Sequence, residues 1–127
     1  MRHFICAFQM IRFGIPAEST DRIIQLSRTQ NSPCEITDND AYISLPAMFR
    51  QNFSTPHGLI LKLTVSPGKK ITLLTPKIEK DMEIPEDNIH ELPAMLSGPF
   101  VYFKGVFFNE DKPVFILDPE KLIGCIK

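Results

Sequence analysis

The chain has 127 residues, of which 43% are hydrophobic, and its 14 basic and 15 acidic side chains leave a net charge of −1. That length suits one ordinary domain, residues 1–127, whose core needs no disulfide or metal staple. A near-neutral balance argues against broad electrostatic capture by nucleic acid or anionic membrane, and no apolar stretch approaches the roughly 20 residues of a membrane span.

In chain order, the run from Phe4 to Met10 reads as a strand, since it is interrupted by Gln9 and lacks the small-residue cleavage site of a secretory leader. Arg12 to Ile15, Ile23 to Leu26 and Ala41 to Leu45 are further short strands. Asn31 to Asp40 carries no apolar period and reads as a loop. Leu45 to Gln51 suits a turn of helix, because Ala47, Met48 and Phe49 lack β-branching. Leu59, Leu61, Leu63 and Val65 then alternate with Ile60, Lys62 and Thr64, the period of a half-buried strand. Ser66, Pro67 and Gly68 turn the chain so that Ile71 to Leu74 returns as the second arm of a hairpin. A short segment, Ile78 to Ile84, follows, and Val101 to Phe108 and Val114 to Leu117 are the last strands. Asp118 as N-cap, Pro119 and Glu120 begin a short C-terminal helix over 118–124, with Gly124 as its stop. Eleven prolines leave intervals too short for long helices, and many short strands imply an all-β fold of barrels.

Catalytic chemistry has few candidates. Glu79, Asp81, Glu83, Glu86 and Asp87 lie close in sequence, and with His90 they define a carboxylate hydrolase as one alternative. Nothing in the sequence desolvates them, and alternation places Glu79, Asp81 and Glu83 on an outer face beside lysines. His3, His57 and His90 are more than thirty residues apart, and Cys6, Cys34 and Cys125 fit no zinc or redox spacing, so no metal is expected. Unpaired cysteines suit a reducing cytoplasm. Glycine-rich phosphate cradles and a nucleophile elbow are both absent, and Asp38, Asn39 and Asp40 lack the glycine and closing glutamate of a calcium loop. No cofactor is expected. A second alternative is a small barrel for single-stranded nucleic acid, which would set exposed aromatics over the lysines 62, 69, 70, 77 and 80; the neighbouring acids and the neutral balance count against it. What remains is aromatic: Phe107 and Phe108 are adjacent and point to opposite faces, so one of them is a candidate for protein contact.

The order of these segments resembles the CheW-like domains, the adaptors of bacterial chemotaxis. Phe4 to Phe8 with Phe13, Gly14, Ile15 and Pro16 looks like the family's opening hairpin. Thr72 to Ile78, then Met82, Ile84, Ile89, Leu92 and Pro93, is similar to its second-half pattern. Phe103 to Val106, and Val114 to Leu117 followed by Asp118 and Leu122, stand where the family has its last strands. The resemblance covers Phe4 to Ile123 and implies two small five-stranded barrels packed together, one spanning about 4–53 and the other about 59–117. The first is abbreviated, because only Thr37, Asp38, Asn39 and Asp40 separate Ile36 from Ala41 and the family's G-V-x-x-[LV]-R-G segment is missing. It also implies a non-catalytic adaptor that couples a chemoreceptor's cytoplasmic tip to the regulatory domain of a CheA-type kinase. The family's receptor-facing V-x-E-I corresponds to Thr20, Asp21, Arg22 and Ile23, an acid replaced by a base. Thr20, Arg22, Ile23, Gly105, Phe107 and Phe108 are the expected partner-binding residues.

Overall fold

The computed structural model describes residues 1–8, 10–26, 28, 30–50, 54–65, 69–93 and 98–126. Among them the chain forms strands β1 (Arg2–Phe8), β2 (Ile11–Pro16), β3 (Thr20–Gln25), β4 (Cys34–Ile36) and β5 (Asp40–Ser44), then helix α1 (Leu45–Met48). Strands β6 (His57–Val65), β7 (Lys69–Thr75), β8 (Ile78–Glu83), β9 (Phe103–Asn109) and β10 (Lys112–Leu117) follow, and helix α2 (Ile123–Ile126) comes last. The strands pair into two five-stranded sheets, β8-β1-β2-β10-β9 and β3-β6-β7-β5-β4. The fold is all-β. The larger core cluster lies between the sheets, combining Cys6, Phe8, Phe13 and Ile15 of the first with Ile43, Leu59, Leu61, Ile71 and Leu73 of the second. A smaller cluster of Ile5, Ile84, Val114 and Ile116 covers the other face of the first sheet.

Alternation explains both clusters. Cys6 and Phe8 point to one face of β1 and Ile5 to the other, so a strand apolar on both sides contributes to each cluster. On β6, Leu59 and Leu61 are buried as the sequence pattern predicts; the side chains of Leu63 and Val65, and the turn at residues 66–68, lie outside the described residues.

The sheets do not divide the chain at residues 53–59. The first sheet takes β1 and β2 from the start of the chain and β8, β9 and β10 from its last half, while the second holds the whole of β3 to β7. Parallel pairing of β2 with β10 forces this interleaving, with Arg12 opposite Val114, Phe13 opposite Phe115 and Gly14 opposite Ile116. Nor do the sheets close into barrels, since β8 and β9 are the outer strands of one and β3 and β4 of the other. Among the described residues there are ten strands, one of them Cys34–Ile36, where the sequence predicts a loop. Its three residues pair antiparallel with Ile43, Tyr42 and Ala41, closing a local hairpin that no apolar period announces.

Three smaller differences follow from context. Val101 belongs to a 3-10 turn, Gly98–Tyr102, that precedes β9. Asp118 does cap, its carboxylate accepting from the Glu120 N–H at 3.2 Å, but the first turn is 3-10 and α2 runs through Gly124. Within α1 the Ser44 hydroxyl accepts from the Ala47 N–H at 3.3 Å, and Pro46 sits in the first turn where no N–H is needed.

His3 is fully buried on β1, opposite Pro16 and Met82, with Nδ1 3.1 Å from the Met1 carbonyl and, among the described residues, no partner for Nε2. Burial holds its pKa below the ordinary imidazole value, and nearby Lys104 adds to this. The neutral ring is therefore the folded-state form. As pH falls below about 6.5 the unfolded chain takes up the proton first, so stability is present above that pH and declines toward the lower folded-state pKa. We expect urea midpoints to drop between about pH 7 and pH 5, and His3→Leu to flatten that part of the profile. We further expect Leu61→Ala, which empties a fully packed site, to lose about 2 to 5 kcal/mol in the same assay; a loss under about 0.5 kcal/mol would place Leu61 in solvent.

Candidate protein-interaction surface

The exposed apolar side chains sit at sheet edges and turns. Ile23 on β3, Ile36 on β4 and Phe108 on β9 are exposed, and Phe108 retains 53% of its accessible surface. Edge strands present unpaired backbone and are the natural place for another chain to add.

On β3 the sequence-predicted residues separate. Arg22 and Ile23 face solvent, and a register shift between Thr20 and Arg22 bends the strand against β6. Thr20 is buried, its hydroxyl donating to the Pro16 carbonyl oxygen at 3.3 Å, so it holds the turn between β2 and β3 in place. The segment therefore presents a cation and an isoleucine, with Thr20 acting from beneath.

On β9 the arrangement is set by a bulge. Phe103 pairs with Leu117 but Gly105 pairs with Ile116, so Lys104 is the extra residue and the faces exchange. Phe103 thus enters the main core, and Phe107 packs half-buried on the Ile5, Ile84, Val114 and Ile116 cluster. Phe108 points the other way, its ring 6.0 Å from that of His90. Gly105 is buried under the backbone of His90, whose N–H and carbonyl both bond to Val106 at 2.8 Å. A Cβ at Gly105 would stand 2.5 Å from the His90 oxygen and 2.6 Å from Ile89 Cγ2, which is why no side chain fits there. This bridge covers part of the β9 edge. Sequence reading found the Phe107 and Phe108 alternation but missed His90 as the residue that caps the strand beside them. The two groups of candidate residues occupy edges of different sheets.

The carboxylates stay in water. Glu79, Asp81 and Glu83 are exposed on β8, Asp81 lies 3.5 Å from Arg2, and Glu83 contacts the Met1 amino group. Glu86 accepts from Lys104 Nζ at 2.7 Å, and this bond holds its carboxyl below the usual range, in the charged form. His90 faces Phe108 in place of an acid. Lys62 and Lys70 belong to the second sheet, and Lys80 lies on β8, at the opposite edge of the first sheet from Phe108 on β9, so these lysines do not gather round the exposed aromatic. Among the described residues no three His, Cys, Asp or Glu side chains gather as metal ligands, and no helix is long and apolar enough to cross a membrane.

Two interleaved, packed five-stranded sheets with short helical turns make this a CheW-like fold. The crystal structure of the scaffolding protein TtCheW from Thermoanaerobacter tengcongensis matches it with a TM-score of 0.70, covering 92% of this chain and 83% of that one at 14% identity. No family model matches the chain, and no curated protein does.

Because His90 closes on the backbone of β9, Gly105→Ala is expected to push a main-chain oxygen aside and cost about 1 to 3 kcal/mol. Amide exchange should speed up at His90 and Val106 while the β6 and β7 amides stay protected; unchanged protection at both would show that the contact yields easily.

Proposed function

We propose that this chain is a non-catalytic adaptor of chemotaxis-type signalling, acting in the cytoplasm and joining a receptor's cytoplasmic tip to the regulatory domain of a CheA-type kinase. The observation that carries this reading is the likeness to the TtCheW scaffolding protein over 92% of the chain. The exposed Phe108 and the Arg22 and Ile23 edge support it, since a protein that works by contact needs apolar anchors and open strand edges. Phe107 and Gly105 support Phe108 from within β9, and Thr20 supports the β3 edge through its bond to Pro16.

Receptor and kinase contacts are expected to differ in strength. Arg22 stands where the resembled pattern has an acid, so the β3 edge meets a family-type receptor surface with the wrong charge. Thr20→Val would remove a bond inside the fold, so Arg22→Glu is the informative substitution. Titration calorimetry of the full chain against each partner separately should give binding to the kinase regulatory region and weaker binding to the receptor tip. Arg22→Glu should tighten the receptor interaction by about 1 kcal/mol and leave the kinase interaction unchanged. Absence of binding to both partners would reject the adaptor reading; receptor binding indifferent to residue 22 would reject the placement of the interface.

A further inference from the structure

Arg50 follows α1 with a left-handed backbone, φ 57, and its N–H donates to the Ala47 carbonyl oxygen at 3.0 Å. Helices commonly end in this way on glycine, because any Cβ there crowds the neighbouring carbonyl. Here the chain places its longest cationic side chain at that point. The side chain is exposed and lines a groove of about 590 Å³. Buried Ala47 and Met48 and half-buried Pro99 and Tyr102 form the apolar walls, and exposed Pro33 stands at the rim.

Among the described residues Arg50 is the charged one in this lining, and it has no ion pair with any of them. Arg2, Arg28 and Lys104, by contrast, lie 3.5, 3.4 and 2.7 Å from carboxylates of their own chain. A second groove, near the β1–β2 and β9–β10 turns, is lined by Arg12 and Lys112 but also by Glu79 and Asp111, and so selects neither sign. Apolar walls with one unneutralised guanidinium select a ligand that is apolar and anionic together. The exposed rim at Pro33 and Gly98 leaves room for a chain to enter and leave, which suits a segment of polypeptide.

We propose that this groove docks an acidic segment of a protein partner, with an apolar side chain on Ala47, Met48 and Tyr102 and an adjacent carboxylate on Arg50. The site lies by β4, at the opposite edge of its sheet from β3, and stands on its own lining whether or not the adaptor reading holds.

The test is a titration of the full ¹⁵N-labelled chain with two capped heptapeptides. Both have a leucine-phenylalanine-leucine centre; one is flanked by two glutamates on each side, the other by lysines. The acidic peptide is expected to shift the Ala47, Met48 and Tyr102 amides and to bind about ten-fold tighter than its basic counterpart. Arg50→Gly suits the left-handed backbone, so it should raise the melting temperature while weakening the acidic peptide about ten-fold; Arg50→Lys should retain most of the affinity. Equal affinities for the two peptides, wild-type affinity in Arg50→Gly, or shifts confined to other strands would overturn the proposal. Decanoate shifting the same amides where the acidic peptide does not would overturn the assignment to a polypeptide.

Discussion

Phe13 is the centre of an aromatic cluster on the face of the first sheet that shares its core with the second. Its ring is fully buried and lies 5.1 Å from Phe8, 5.3 Å from Phe49 and 5.6 Å from Phe103. Phe49 continues the cluster to Phe100 at 5.3 Å, and Phe100 meets Phe115 at 5.1 Å. These rings come from β1, β2, the end of α1, the 3-10 turn before β9, and strands β9 and β10. Each brings a large apolar area, and tilted or edge-on contacts add to simple burial. Segments remote in sequence are thereby held to one joint, with Leu59, Leu61, Ile71 and Leu73 of the second sheet packed in the same cluster.

That joint depends on a pairing that closes late in the chain. Beta-strand β10 lies parallel to β2, so the first sheet is complete only when the last third of the chain has been added. Non-local closure of this kind makes the central strands well protected and leaves exposure to the edges. The edges are not alike. Strand β8 is lined with Glu79, Lys80, Asp81 and Glu83, charges that discourage pairing; β9 carries the His90 bridge; β4 has three residues. Strand β3 has six residues, with Asp21, Arg22 and Ile23 turned outward.

A fold hosts many functions, so kinship of architecture with a scaffolding protein does not by itself transfer its partners. At 14% identity the match shows the fold alone. Arg22 and Arg50 are exposed features of this chain's own surface. One lies on an edge strand and the other in a groove at the opposite edge of the same sheet, which gives the adaptor reading and the docking groove separate physical grounds.

Local pattern was enough for the strand character of the chain. Alternation in β6 assigned Leu59 and Leu61 to the core, the adjacent Phe107 and Phe108 announced one inward and one outward ring, and Asp118 with Pro119 marked a helical start. The order of segments carried the CheW-like resemblance, because spacing between core strands survives where individual residues do not. Three features were decided only in three dimensions. Strand β1 joins β8 and β10's sheet because its Ile5 face finds Ile84, Val114 and Ile116. Thr20 is buried by the turn from β2, and Arg50 reaches a groove whose walls come from residues 33–34, 47–48 and 98–102. A period of two tells which side of a strand is apolar, but which strand will lie beside it, and which surface is thereby covered, depends on contacts between residues far apart in the chain.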